Sequence, residues 1–421
     1  MPAEGWLRSL DPVGWRFGLE RITALLAALG DPQRAFESIH VVGTNGKSSV
    51  TVMISALLEA SGRTTGAYLS PHAERWSERV MLRGAEIDAE AFEFAVERVA
   101  AAVPEVEEGF EEGERVTQFE AATAVAFAAL EDAGVQVGVI EAGLGGRLDA
   151  TNVLDSRVTA LTTIGLDHTE WLGETEAEIA AEKLAVLQPG STLVLGDVSD
   201  EVAAQAQTVA AERGCAVIAP LEADHPERIE TSNVPPHRVA IGTFRSQAPY
   251  LRRNLAVAVA AAEAFSGSPL GDDVLQRALD GLELHGRFEV LEGDPPVVLD
   301  AAHNPDGARA LAEALRVELG ERPVVACVAV MGDKDASRIV DALAPALSAA
   351  VCTEIPAERL KGAGRPGTKA FGADELAGLF EAAGVSATVE PDPNLAIAGA
   401  KEQARERNGV ALIAGSHYLL A

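Results

Sequence analysis

Positive charge and cysteine are what this chain of 421 residues has least of. Lysine and arginine total 34 against 64 aspartates and glutamates, a formal net charge of −30. A nucleic acid or an anionic membrane needs a dense cationic face, so neither is an expected partner. Anionic small substrates stay compatible if local cations and Mg²⁺ offset the field. The acidity fits a salt-rich cytoplasm and a merely solvated surface equally well. Cys215, Cys327 and Cys352 are odd in number and far apart. That argues against a disulfide framework or a clustered zinc site, and suits buried, inert thiols in a reducing compartment. The first residues, Met-Pro-Ala-Glu-Gly-Trp, lack a cationic-then-apolar leader pattern, and no apolar run reaches bilayer length, so a cytoplasmic location is expected. No G-x-G-x-x-G follows a strand, which gives no indication of a dinucleotide cofactor, and no N-K-x-D guanine signature occurs. Neither half shows an internal repeat or a low-complexity tract.

The length favours two domains, and a hydrophobic fraction of 48% is that of a globular chain. The stretch from Ser38 to Val50 reads as strand, phosphate loop and helix. Ile39 to Val42 are apolar enough for a strand, Gly43 and Gly46 let the backbone turn close to an anion, and helical spacing continues from Thr51 to Ala60. Such a turn offers unpaired N–H groups and the positive end of a helix dipole, while Lys47 adds a mobile cation and the Ser48 hydroxyl can reach Mg²⁺. Val41 stands where the general phosphate-loop pattern has its first glycine, leaving Gly43-Thr44-Asn45-Gly46-Lys47-Ser48. An ordinary helix start is the competing reading.

Further along, residues 16 to 29 have helical spacing, and Gly66 to Ser70 reads as a strand with Ser70 at its end. Glu105 to Glu114 reads as an exposed loop, and Thr117 begins a helix with Glu120 placed for a capping box. Val135 to Ile140 is a buried-type strand with Glu141 at its C-terminal end, where ligands gather in open parallel sheets. Val158 to Ile164 is another, followed by His168, and Lys183 lies in a helix from Glu174 to Leu187. Residues 197 to 240 are weakly patterned. Beyond Asp300, helices and strands alternate as a second α/β unit.

The G-T-N-G-K-S loop resembles that of the Mur ligase superfamily, and more narrowly that of the folylpolyglutamate synthase and dihydrofolate synthase family. Glu141-Ala-Gly-Leu-Gly-Gly-Arg-Leu-Asp-Ala-Thr-Asn152 matches the family's glycine loop almost residue for residue. Ser70-Pro-His72, Thr117-Gln-Phe-Glu120, Glu182-Lys183, Gly286-Arg287-Phe-Glu289 and Asp300-Ala-Ala-His-Asn-Pro305 are similar to its other motifs, with Leu69, Ala73 and Leu184 as departures. The chain has only six lysines, which makes finding both Lys47 and Lys183 at motif positions less of an accident.

The resemblance implies an α/β chain with an N-terminal phosphate-loop ATPase domain built on a parallel sheet (1–285) and a smaller, Rossmann-like C-terminal glutamate-ligase domain (286–421). It implies ATP held by Gly43, Thr44, Asn45, Gly46, Lys47, Ser48, Asn254, Arg287 and Asp300, the last two closing over the nucleotide. Two Mg²⁺ sites would use Ser48, Ser70 and Glu141 for one, and Glu141, His168 and a carbamylated Lys183 for the other. Lys47, Lys183, His168 and Glu141 are the implied catalytic set. The pterin would meet Arg16, Phe17, Gly18, Leu19, Thr117, Gln118, Phe119, Glu120, Leu148, Asp149 and Ala150. Asp149 is the favoured pterin acceptor, with a loop-stabilising role before Thr151 as the alternative. The implied reaction is ATP-dependent addition of L-glutamate to dihydropteroate or to a reduced folate through an acyl phosphate, by a monomer. Rival readings are a peptidoglycan-precursor ligase and an ATP-binding regulatory protein without synthetic activity.

Overall fold

The structure, a computed structural model, describes residues 3–11, 18–72, 74–220, 228–231, 237–240, 246, 248–360 and 369–420. Contacts divide the chain into a first unit, Met1–Arg245 with Arg253–Leu282, and a second, Ser246–Arg252 with Glu283–Ala421.

The first unit is built on eight strands: β1 (Glu37–Val42), β2 (Thr65–Tyr68), β3 (Val80–Leu82), β4 (Ala85–Glu86), β5 (Val137–Glu141), β6 (Val158–Thr163), β7 (Thr192–Asp197) and β8 (Ala216–Ile218). Their order is β4-β3-β2-β5-β1-β6-β7-β8, parallel except where β3 meets β2 and β4. In β1 and β5 every residue but Glu37 is buried, as expected of central parallel strands covered on both faces. One core cluster gathers Ile22, Leu25 and Leu26 of helix Glu20–Ala28, Val96 and Val99 of helix Ala89–Glu107, and Phe127 and Leu130 of helix Gln118–Asp132. Another packs Ala180 and Leu184 of helix Glu176–Leu184 with Val202 and Ala206 of helix Asp200–Glu212. Burying each such Leu or Val contributes about 1.5–3 kcal/mol. Helix Ala89–Glu107 runs through Pro104 and Glu105, so the loop expected at Glu105 starts only after Glu107. Packing of Val96, Val99 and Val103 outweighs the break that the proline and the acidic run suggest.

Two further strands, β9 (Arg228–Thr231) and β10 (His237–Ala240), pair antiparallel. Among the described residues the second unit has six: β11 (Glu289–Leu291), β12 (Val297–Asp300), β13 (Val324–Val328), β14 (Ala349–Cys352), β15 (Ala387–Val389) and β16 (Val410–Ala414). They are ordered β11-β12-β16-β13-β14-β15, with only β11 antiparallel. Helices Pro305–Leu319, Ala336–Leu343, Ala373–Ala382 and Pro393–Glu406 follow the alternation read from the sequence. The short edge strands β11 and β15 were not anticipated. Cys327 and Cys352 lie buried in β13 and β14, where burial pushes both thiols up to about 12, and Cys215 is free as well. Among the described residues no helix is long and apolar enough to cross a membrane.

Candidate active site

β1 lies between β5 and β6, so its phosphate loop, the end of β5 and the turn after β6 meet at one edge of the sheet. The two loop glycines are required by space and backbone. A Cβ on Gly43 (φ +152°) would stand 1.9 Å from Thr162 Oγ1, and one on Gly46 (φ +84°) 2.6 Å from Asn254 Oδ1. Thr44 N donates to the Thr163 carbonyl (2.8 Å), Asn45 N to Thr163 Oγ1 (3.0 Å), and Thr162 Oγ1 to the Asn45 carbonyl (2.6 Å). Helix Lys47–Ala60 therefore starts at a loop already pinned to β6, and no side chain caps its N-terminus. Lys47 Nζ donates to the Thr44 carbonyl at 3.3 Å, keeping the ammonium over the loop. Asn254 packs against Gly46 from one turn inside helix Pro249–Ser266, so it is not that helix's cap.

Glu141, 1% exposed, links the loop to the end of β2. Ser48 Oγ donates to its Oε1 (3.0 Å), and the backbone N–H of Ser70 to its Oε2 (3.1 Å). A hydroxyl and a buried carboxylate side by side on a phosphate loop form a hard-oxygen donor pair that fits a divalent cation such as Mg²⁺.

Lys183 is 4% exposed and, among the described residues, makes no hydrogen bond or ion pair. Burial, reinforced by the charge of Lys47, brings its amine down to about 7, while Asp167 and Asp149 oppose that shift. His168 starts helix Thr169–Leu172 in a left-handed conformation (φ +53°), and its N–H donates to Asp167 Oδ1 (2.9 Å). Asp167 was passed over in the sequence, although its place beside His168 at a strand end was the available signal. No three His, Cys, Asp or Glu side chains gather at metal-binding distance among the described residues.

The glycine loop docks on the helix that carries Lys183. A Cβ on Gly146 would lie 2.7 Å from the Glu182 carbonyl and 3.1 Å from Lys183 Cα, and Arg147 N donates to that carbonyl (3.0 Å). A Cβ on Gly143 would enter the Phe119 ring at 2.3 Å. Leu148 is 40% exposed, whereas Ala150 is buried. Asp149 takes the loop-stabilising role: Oδ2 accepts from Leu144 N (2.8 Å), and Oδ1 from Thr151 N (3.0 Å) and Thr151 Oγ1 (2.5 Å). Both oxygens of the carboxylate named as the favoured pterin acceptor are thus already engaged within the loop.

Thr117 and Glu120 do form a capping box, with Thr117 N donating to Glu120 Oε2 at 2.8 Å. Glu120 also receives Arg21, whose Nη2 lies 3.0 Å from Oε1 and whose Nε lies 3.2 Å from Oε2, both residues being buried. The side chain of Gln118 donates to the Leu7 carbonyl (3.0 Å). These two groups are thus engaged in holding helices together. Arg16 and Phe17 lie outside the described residues; Gly18 and Leu19 lead into helix Glu20–Ala28.

In the second unit, Asp300 is buried and fully engaged. Tyr250 OH donates to Oδ2 (2.6 Å), Phe288 N to Oδ2 (2.9 Å) and Ala302 N to Oδ1 (2.8 Å). Burial raises both Asp300 and Tyr250 above their ordinary ranges. Arg287 Nη2 stands 3.4 Å from His417 Nε2, and the His303 and His417 rings are 5.6 Å apart. Asn304 caps helix Pro305–Leu319, its Oδ1 accepting from Gly307 N (2.8 Å).

Residues 41–246 match the Mur ligase middle domain, and 286–417 the Mur ligase glutamate ligase domain. A dihydrofolate synthase/folylpolyglutamate synthase of Mycobacterium tuberculosis is 34% identical over 80% of this chain and 74% of its own. A probable bifunctional folylpolyglutamate synthase/dihydropteroate synthase of Halobacterium salinarum is 34% identical over the whole chain, which spans 50% of that relative's length. Among solved structures, M. tuberculosis folylpolyglutamate synthase complexed with ADP and AMPPCP superposes with a TM-score of 0.86 at 30% identity, covering 96% of this chain and 93% of that one. A bifunctional folylpolyglutamate synthase/dihydrofolate synthase with Mn, AMPPNP and L-glutamate bound gives 0.82 at 29% identity, covering 100% and 96%. The chain is a member of the folylpolyglutamate synthase/dihydrofolate synthase family of Mur ligases, which are ATP-dependent ligases.

Proposed function

We propose that this protein joins L-glutamate, in amide linkage, to dihydropteroate and to the terminal glutamate of reduced folates, at the cost of ATP. The observation that carries the reading is the edge where β1, β5 and β6 end: a phosphate loop, the Ser48–Glu141 donor pair and the buried amine of Lys183, beside the glycine loop of the folate branch. The domain assignment follows the two Mur ligase matches, with ATP binding in 1–285 and the glutamate-ligase domain in 286–421.

A carboxylate is a poor acyl donor, because its leaving group would be oxide. One carboxylate oxygen therefore attacks the γ-phosphorus of ATP, the bond to the β–γ bridging oxygen breaks, and ADP leaves. The amine of L-glutamate attacks the acyl carbon, phosphate departs with the C–O bond, and the amine loses a proton. The loop N–H groups and Lys47 stabilise charge on the β- and γ-phosphates. Ser48, Ser70 and Glu141 would hold one divalent cation, and Glu141, His168 and Lys183 a second. Bound there, the ions supply charge neutralisation and orientation of the reacting oxygens. Asn254 is proposed as a nucleotide contact, a reading supported by its approach to Gly46, and Arg287 and Asp300 are the nucleotide residues proposed from the second unit.

An ammonium is a poor companion for a cation. An amine near 7 is about half neutral at pH 7, and neutral amine plus CO₂ gives a carbamate with release of one proton. The sign of Lys183 then reverses, and the second cation gains an anionic ligand beside Glu141 and His168. Leu148, exposed on the glycine loop, and Phe119 beneath it are the side chains proposed to contact the pterin-bearing substrate.

The deciding assay compares ADP release with L-glutamate plus either dihydropteroate or a reduced folate monoglutamate. Turnover with both is expected. Turnover with the folate alone reduces the assignment to polyglutamate synthesis, and turnover with neither overturns it.

A further inference from the structure

β1 carries a buried imidazole for which the reaction above has no use. His40 is 1% exposed, and its Nε2 lies 2.8 Å from Thr151 Oγ1, a residue 111 positions away. Thr151 Oγ1 in turn lies 2.5 Å from Asp149 Oδ1. A threonine hydroxyl has one proton, so this row of three groups can point only one way at a time. Burial raises the Asp149 carboxyl above its ordinary range, and the backbone N–H groups of Leu144 and Thr151, which also donate to it, oppose that rise and favour the carboxylate form. The Thr151 hydroxyl therefore donates to Asp149, and its oxygen accepts from His40 Nε2–H. The ring is neutral with its proton on Nε2, and burial, which holds the imidazole down to about 4, keeps it so near neutral pH.

The consequence is a brace across the glycine loop. Asp149 ties the limb before it through Leu144 N and the limb after it through Thr151, and His40 fastens that second limb to β1. The strand that presents the phosphate loop at its end thus also fixes the shape of the loop that ends in Asn152.

We propose that His40 is a positioning residue: acting through Thr151 and Asp149, it sets the shape of the Gly143–Asn152 loop and so the binding of the pterin-bearing substrate. This rests on the folate reading above. The test uses the full chain and four variants, His40→Leu and Thr151→Val to cut the row, His40→Gln and Thr151→Ser to keep a donor and a hydroxyl in place. In the cut variants KM for dihydropteroate or reduced folate should rise about tenfold, with KM for ATP within about twofold, while the conservative pair stays near wild type. Nitrogen-15 spectra of the His40 ring should show the Nε2–H tautomer in the wild type and lose it on Thr151→Val. A ring found as Nδ1–H, or a folded His40→Leu protein with unchanged KM, overturns the proposal. If the wild type turns over neither pterin substrate, the folate reading and the substrate half of the proposal fall together. The ring spectra, which need no substrate, then decide the brace by itself.

Discussion

Glu120 allows a sharp test of whether the Thr117–Glu120 segment holds the fold together. The change is Glu120→Gln, which keeps an amide oxygen able to accept Thr117 N–H and so spares much of the cap, but removes the charge facing Arg21. Both residues are buried, and the guanidinium is left with Glu114 at 3.7 Å, whose side chain is 33% exposed. Breaking a buried pair by removing one partner costs about 3–5 kcal/mol. The partial compensation by Glu114 puts the expected loss at the lower end, about 3 kcal/mol. Tryptophan fluorescence isolates the relevant transition, because the second unit, Ser246–Arg252 with Glu283–Ala421, contains no tryptophan. At a urea dependence of about 3 kcal/mol per molar, the midpoint should fall by about 1 M. Arg21→Leu in the same chain should recover part of the loss, since a buried cation deprived of its buried carboxylate is the main penalty. A Glu120→Gln protein destabilised by less than about 1 kcal/mol, or a double variant whose loss equals the sum of the singles, would refute the argument.

Lys183→Ala should lose most turnover and recover some with added short carboxylic acids; normal turnover of the alanine variant in CO₂-depleted buffer would eliminate the carbamate. The amine of Lys183 is neutral above about pH 7, so reactivation of CO₂-stripped enzyme by added CO₂ should quicken as pH rises through 7, and a rate flat from pH 6 to 8 would count against it. Gly46→Ala forces a side chain into a left-handed turn 2.6 Å from Asn254, and should weaken ADP binding by at least about tenfold in calorimetry with little loss of helix content. His40 is held down to about 4 from 6.5, so between those values the unfolded chain takes up a proton that the folded one refuses. Stability should therefore fall by about 3 kcal/mol as pH drops from 6.5 to 4. His40→Gln should flatten that slope in urea titrations, leaving the share due to His72, which is held down to about 3.

What the sequence disclosed was local. The phosphate loop, the glycine loop and the Thr117 capping box each lie within a dozen residues, and their geometry follows from glycine freedom and cap chemistry. The role of Asp149 was open for the same reason: Thr151 is two residues away and suggested a loop aspartate, but nothing local revealed that His40 backs it from another strand. The partner of Glu120 is 99 residues distant, so capping was legible and the buried ion pair was not. Asp167 was hidden by its neighbour His168, the more familiar ligand type. Glu105 to Glu107 read as loop because they open the acidic, glycine-containing stretch that runs to Glu114, while the valines that keep the helix intact are spread over its preceding turns.

The burial of Lys183 also bears on chemical selectivity. Of six lysines, one whose amine sits near 7 is half deprotonated at neutral pH and is by that measure a strong nucleophile toward any electrophile in solution. Its 4% exposure imposes a second criterion, that of molecular size. An electrophile of three atoms can reach such a nitrogen through small fluctuations of the packing, whereas anhydrides and active esters need the surrounding helix and loop to part. In a labelling experiment Lys183 should therefore be the last lysine to react with bulky reagents and the first to react with the smallest.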